Sequence, residues 1–231
     1  AFSGTTVWLL IPAFAMSAVF LKTGILARIA LHVLSWFPAR YKTQIWANTV
    51  ANVIISPLIP SNQAKGALMA PFAASIAEEL KFQKNSNGAA GIFCSMYVPT
   101  NGAGCAWFTG SVLCTMVMSY LGDSVGNISW LRWLSYTFVY YIVTVVISTI
   151  LCLKIYPEQN YTGNSEEGEK IHFARKRLQE LGPMSADEKK CAVVLIFAMV
   201  FWIFGESIGV SAAATGCIAM ILLALLGPLT S

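Results

Sequence analysis

The 231-residue chain has 15 Lys and Arg against 11 Asp and Glu, a net charge of +4, yet only 11% of its residues are charged and 56% are hydrophobic. With a mean hydropathy of +0.64, the composition is that of an integral membrane protein, and it excludes a water-soluble domain. The positive balance has a membrane explanation and does not point to nucleic acid. Six cysteines without a CxxC pair read as buried core thiols, and two distant histidines, His32 and His172, leave a zinc or haem site without ligands.

In chain order, residues 1–21 carry no charge and read as a transmembrane span. Over 24–37, Ile25, Leu26, Ile29, Ala30, Val33, Leu34 and Phe37 recur at helical spacing with Arg28 and His32 off that face, which predicts an amphipathic arm helix lying in the cytoplasmic interface. Residues 43–77 read as a re-entrant hairpin. Its ascending part, Thr43 to Ala64, has 22 uncharged residues broken by Pro57, Pro60, Ser61, Asn62 and Gln63. The descending run, Gly66 to Ala77, has 12, about 18 Å of helix against a hydrocarbon thickness of about 30 Å.

The 38 uncharged residues from Asn85 to Gly122 exceed one straight helix, and Pro99, Asn101, Gly102, Gly104 and Gly110 interrupt them. They predict a broken transmembrane helix over 88–120. Residues 133–153 form an ordinary span. The loop 154–190 holds 14 of the 26 charged residues, with Ile171 to Leu181 as a surface helix. Two further spans, 191–204 and 208–226, meet at Gly205 and Glu206, the latter read as a solvated turn residue. The sequons at Asn127 and Asn160 read as chance matches. The chain opens two or three residues before an apolar run, without a charged leader, and closes as a span finishes, so a partial chain is expected.

With the hairpin re-entrant, residues 22–84 and 154–190 share one side and hold 14 of the 15 Lys and Arg, Arg132 lying opposite. The positive-inside rule makes that side cytoplasmic. The hairpin tip then lies at membrane depth, where polar backbone must line a cavity. Its second arm starts right after the tip, so free N–H groups and a positive dipole end face any occupant, favouring an anion. Hydroxyl and amide oxygens of Ser61 and Asn62, with carbonyls near Gly110, are hard ligands suited to sodium; capping of the turn is the plainer role for the same residues. Lys65 either pairs with a substrate carboxylate or snorkels to the cytoplasmic surface. Trp107 either walls the cavity or simply packs.

Four segments together resemble the divalent anion/sodium symporters of di- and tricarboxylate transport: TVWLLIPAFAMSAVFLKTGILARIAL, PSNQAKGALMAP, WFTGSVLCTM and RLQELGPMSADEKK. The hairpin is closest to the Pro-Ser-x-x-Ala-Arg/Lys-Gly pattern of the dicarboxylate/citrate exchanger branch. The resemblance implies an all-α polytopic membrane protein, an inverted-repeat secondary transporter with elevator-type motion, working as a homodimer in the bilayer, here the bacterial inner membrane. It implies a small organic anion as substrate, no cofactor and no enzymatic chemistry, with sodium as the candidate coupling ion. Residues and resemblance together place substrate on Ser61, Asn62, Gln63, Thr109 and Ser111, and a cation on Ser61, Asn62, Asn101, Gly104 and Gly110. Gln63 stands where the symporter motif has Thr, and the Gly-Thr-Pro-Pro pattern is absent around Thr109 to Val112, which favours exchange over sodium symport. Another ion transporter of similar architecture, for arsenite or for cation/proton antiport, is the alternative.

Overall fold

The computed structural model describes residues 5–121, 128–157 and 173–228, and within them the regular structure is helical. Both sequon asparagines, Asn127 and Asn160, and much of the charged loop lie outside the described residues. Helix α1 (Thr5–Thr23) ends at Gly24, whose φ of 81° is open to a residue without Cβ. There the axis turns by 67° into α2 (Ile25–Ser35). Ile25, Leu26, Ala30, Leu31, Val33 and Leu34 of α2 are buried while His32 is exposed. Arg28 departs from the periodicity-based expectation. It is buried, its Nε and Nη2 donating to the two carboxylate oxygens of Glu188 at 3.0 and 3.1 Å and its Nη1 to the Gly182 carbonyl at 2.9 Å.

Two helices make the hairpin: α3 (Tyr41–Ile55), which runs into a 3-10 turn at Ser56–Leu58, and α4 (Asn62–Glu79). Pro57 and Pro60 stop the first helix, and Ser61 caps the second by accepting from the Ala64 N–H at 3.3 Å. With 18 residues, α4 is about 27 Å long, well beyond its uncharged run, because the helix also takes in Asn62 to Lys65 before that run and Glu78 and Glu79 after it. Length alone therefore does not exclude a crossing. What places the two ends is contact: the Tyr41 ring, at the start of α3, meets the Phe82 ring, just past α4, edge-on at 5.5 Å. The chain enters and leaves the hairpin at one end of the bundle.

The uncharged stretch that follows is α5 (Asn87–Gly104), an irregular segment at 105–111, and α6 (Val112–Leu121). Helix α7 (Trp130–Ile155), capped by Ser129, is alone among the described helices long and apolar enough to cross a membrane by itself; α1 and α2 qualify only as a bent pair. Exposed Tyr136, Val139, Tyr140, Val143 and Ile147 give α7 an apolar outer face. After α8 (Phe173–Leu181), a capping box at Ser185 and Glu188 starts α9 (Ala186–Phe204), so this helix takes in the charged residues ahead of the expected span. A 3-10 turn at Gly205–Ile208 leads to α10 (Ala212–Leu225), shorter than the span expected there.

Two large apolar cores and a small one around Ala106 and Tyr141 result. One large core joins α2, α3, α4 and α5 with Ala174 of α8; the other joins α1, α9 and α10 around Met16, Phe20, Val194, Ala198, Trp202 and Leu223, and takes in Ile59 of the hairpin tip and Trp130 of α7. Helix α2 contributes to both, Ile25 and Leu26 to the second and Ala30 to Leu34 to the first. The Arg28–Glu188 pair ties this shared helix to α9.

Burial pushes the Glu188 carboxyl up, but hydrogen bonds from Arg28 and the Ser185 backbone outweigh it and hold its pKa below the ordinary value. A carboxyl so depressed stabilises the fold above its unfolded pKa, and that contribution is lost as pH falls through the folded value. Glu188→Gln in the full-length protein should therefore cost about 3–5 kcal/mol at neutral pH, as removal of one partner of a buried pair does. Thermal melts in detergent should show the two curves converging as the pH is lowered through the carboxylate range.

Candidate functional site: hairpin tip against broken helix

The hairpin tip and the break in the 87–121 stretch satisfy one another's backbone. Pro57 and Pro60 leave carbonyls at the tip without helical partners. The Thr109 hydroxyl donates to Pro57 O at 2.9 Å, and the Val112 N–H, first of α6, donates to Pro60 O at 3.1 Å. Trp130 of α7 donates its indole N–H to Thr109 Oγ1 at 3.2 Å and fixes that hydroxyl.

Lys65, on the first turn of α4, is fully buried and donates from Nζ to the Gly110 carbonyl at 2.8 Å. It neither snorkels nor reaches water. Asn62 Oδ1, one turn earlier, is buried without a hydrogen-bond partner. Both atoms lie against the bare face of Gly104, where a Cβ would run into Asn62 Oδ1 and stand 2.9 Å from Lys65 Nζ. At Gly110 a Cβ would stand 2.6 Å from the Gly104 carbonyl and 3.0 Å from that of Ser56. Two glycines thus let three backbone segments approach within contact distance.

Of the residues expected at the site, Ser61, Asn62, Thr109, Gly104 and Gly110 come together. Gln63 is beside them but exposed, its Oε1 accepting from Ser61 Oγ at 3.3 Å. Ser111 is buried and accepts from the Leu113 N–H at 3.3 Å, so its hydroxyl serves the start of α6. Asn101 stands apart: it is exposed, and its amide donates to Tyr97 O on its own helix. Trp107 packs behind the break, its ring 5.0 Å from Trp130 and 6.1 Å from Tyr141.

A polar seam behind the tip was not anticipated. Asn48 and Asn52 of α3 and Ser56, first residue of the 3-10 turn, fall at i, i+4 and i+8, all fully buried. The Asn48 amide donates to Ser95 Oγ at 3.2 Å, Asn52 Oδ1 accepts from Thr100 at 2.7 Å, and Thr49 bonds Thr149 of α7 at 3.0 Å. The four-residue spacing was the available signal.

A buried ammonium and the N-termini of α4 and α6 converge here, and all three favour negative charge. A family model described as the sodium:sulfate symporter transmembrane region matches residues 1–230. The chain belongs to that family. It is 27% identical over 99% of its length to a putative malate transporter of Bacillus subtilis, covering 48% of that protein. Similarity also extends to a chloroplastic dicarboxylate transporter 2.1 of Arabidopsis thaliana, 23% identical over 99% of this chain and 41% of the relative. An L-tartrate/succinate antiporter of Escherichia coli is 26% identical over 97% of this chain and 46% of its own length. The chain spans about half the length of these curated relatives. Membership in that family makes the chain an integral membrane segment, and the family is one of transporters, not of enzymes.

Gly104→Ala in the full-length protein should weaken ligand binding by 10-fold or more, since the methyl group collides with Asn62 Oδ1. Gly66→Ala, one residue past Lys65, meets nothing within 4 Å and should leave binding unchanged. Isothermal titration of the two purified variants checks the contrast.

Proposed function

We propose that this chain supplies half of the machinery of a secondary transporter for di- or tricarboxylate anions, with the substrate held between the hairpin tip and the broken helix. In this reading Ser61, Asn62, Gln63, Thr109 and Ser111 face the anion, and the hairpin is re-entrant from the cytoplasmic side. The elevator-type cycle, the homodimer and a bacterial inner-membrane location are part of the same proposal. Support for the sidedness comes from Tyr41, Phe82 and Tyr156 meeting at one end of the bundle, where the Tyr41 hydroxyl donates to the Tyr156 carbonyl. That end adjoins the Lys- and Arg-rich segments.

The observation that carries the proposal is the hydrogen bond from buried Lys65 to Gly110 O. It fixes a positive charge among the tip oxygens that would otherwise suit a mobile cation. A sodium ion ~5 Å from that ammonium would be repelled by roughly 3 kcal/mol at an effective dielectric of 20, about two decades in affinity. We therefore favour anion exchange over sodium symport, the ammonium taking the electrostatic role of a bound cation.

Counterflow with the full-length protein in liposomes, across a panel of carboxylates and sulfate, tests this. Exchange should run equally in sodium and in potassium, and Asn62→Ala should weaken apparent affinity 5- to 150-fold, the ~1–3 kcal/mol of a buried group left unpaired. Strict sodium dependence, or indifference to every carboxylate, would overturn the reading.

A further inference from the structure

We propose that Cys105 and Cys114, on the two sides of the break, form a vicinal dithiol that captures trivalent arsenicals and fixes the end of α5 to the start of α6. Cys105 is the first residue past α5 and is partly exposed; Cys114, the third residue of α6, is buried. Cys114 Sγ lies 3.5 Å from the Cys105 carbonyl oxygen and 4.0 Å from that of Gly104. Cys114 Sγ therefore sits against the residue that carries the other thiol, and Lys65 Nζ lies beside Gly104, the residue just before Cys105. Nor is Cys105 loose, because its carbonyl also accepts from the Trp133 indole at 3.1 Å.

Nine positions separate these cysteines, and the irregular turn between the two helices brings the Cys114 sulfur onto Cys105. A pair of thiols beside a fixed positive charge is a soft, electron-rich site in surroundings whose other donors are hard oxygens. Trivalent arsenic takes two thiolates at once and tolerates a looser sulfur spacing than a disulfide does. For an arylarsine oxide the step balances without an oxidant. Two S–H bonds and the As–O bond break, two As–S bonds form, and the oxygen leaves with both protons as water, arsenic staying trivalent. The bridged break can no longer change its geometry. Because Gly104 and Lys65 border the oxygens of Asn62, an anion bound there should shield Cys105; this inhibition and shielding rest on the transport reading above, whereas capture of arsenic does not.

The test is phenylarsine oxide on the full-length protein in membranes, followed by trypsin and mass measurement of the peptide 85–132. No Lys or Arg interrupts that peptide between Lys84 and Arg132, and it holds Cys94, Cys105 and Cys114. One phenylarsenic bridge per peptide is expected, removed by 2,3-dimercaptopropanol and resistant to excess 2-mercaptoethanol. Cys94→Ser should keep it; Cys105→Ser and Cys114→Ser should each reduce it at least 10-fold. Loss of counterflow should track the bridge and be slowed by saturating substrate. An unmodified wild-type peptide, or a bridge that survives in Cys105→Ser, overturns the dithiol, and a full bridge with undiminished counterflow overturns the fixed break. Absence of counterflow before any treatment counts against the transport reading and leaves the mass measurement to decide the dithiol.

Discussion

Polar backbone placed at membrane depth has to find partners within the protein, since no water is there to supply them. This chain interrupts two apolar stretches and sets each interruption against the other. The prolines that end α3 leave carbonyls that the Thr109 hydroxyl and the Val112 N–H fill, and the break returns the Gly110 carbonyl to Lys65. Neither interruption would be tolerable alone. Paired, they leave few groups unsatisfied, and among these is Asn62 Oδ1, at the point where a ligand would complete the set.

Lys65 is fully buried with the neutral Gly110 carbonyl as its hydrogen-bond partner. An ammonium without an aqueous exit is costly in a membrane protein, and a single carbonyl is a weak partner for it. The residual positive potential adds to the two helix N-termini that face the same space. An anion entering there meets charge it can balance; a second cation meets repulsion. In the proposed reading, the same three elements set both the sign of the ligand and the reluctance toward a coupling ion.

The seam from Asn48 through Asn52 to Ser56 gives the hairpin a rigid backing. The Asn48 and Asn52 amides lock α3 to Ser95 and Thr100 of α5, and Thr49 reaches Thr149 of α7, so the tip and the break rest on one packed body. At the far end of α3, the arm helix α2 is held to α9 by Arg28 and Glu188. Helix α2 contributes side chains to both cores, and Ile59 of the tip and Trp130 of α7 also pack in the second, so motion of the first body against the second would have to remake contacts at all three.

Much of this was legible in local terms. Composition marked the membrane class; Pro57, Pro60 and the polar tip marked where one stretch turns, and Pro99, Gly104 and Gly110 marked where another is interrupted. The period of α2 picked out its buried face, since spacing and propensity act within a few residues. Where the reading went astray, the deciding partner was distant in sequence. Arg28 is buried because Glu188, 160 residues on, receives it, and Asn101 faces outward because packing of α5 rotates it from the tip. Lys65 could pair with a substrate or reach the surface until the fold placed Gly110 O beside it. By itself the sequence determined which segments are apolar, where they break and which chemistry they offer. Only the tertiary structure decided which broken backbone meets which, because those pairings are settled by close packing between helices far apart in the chain.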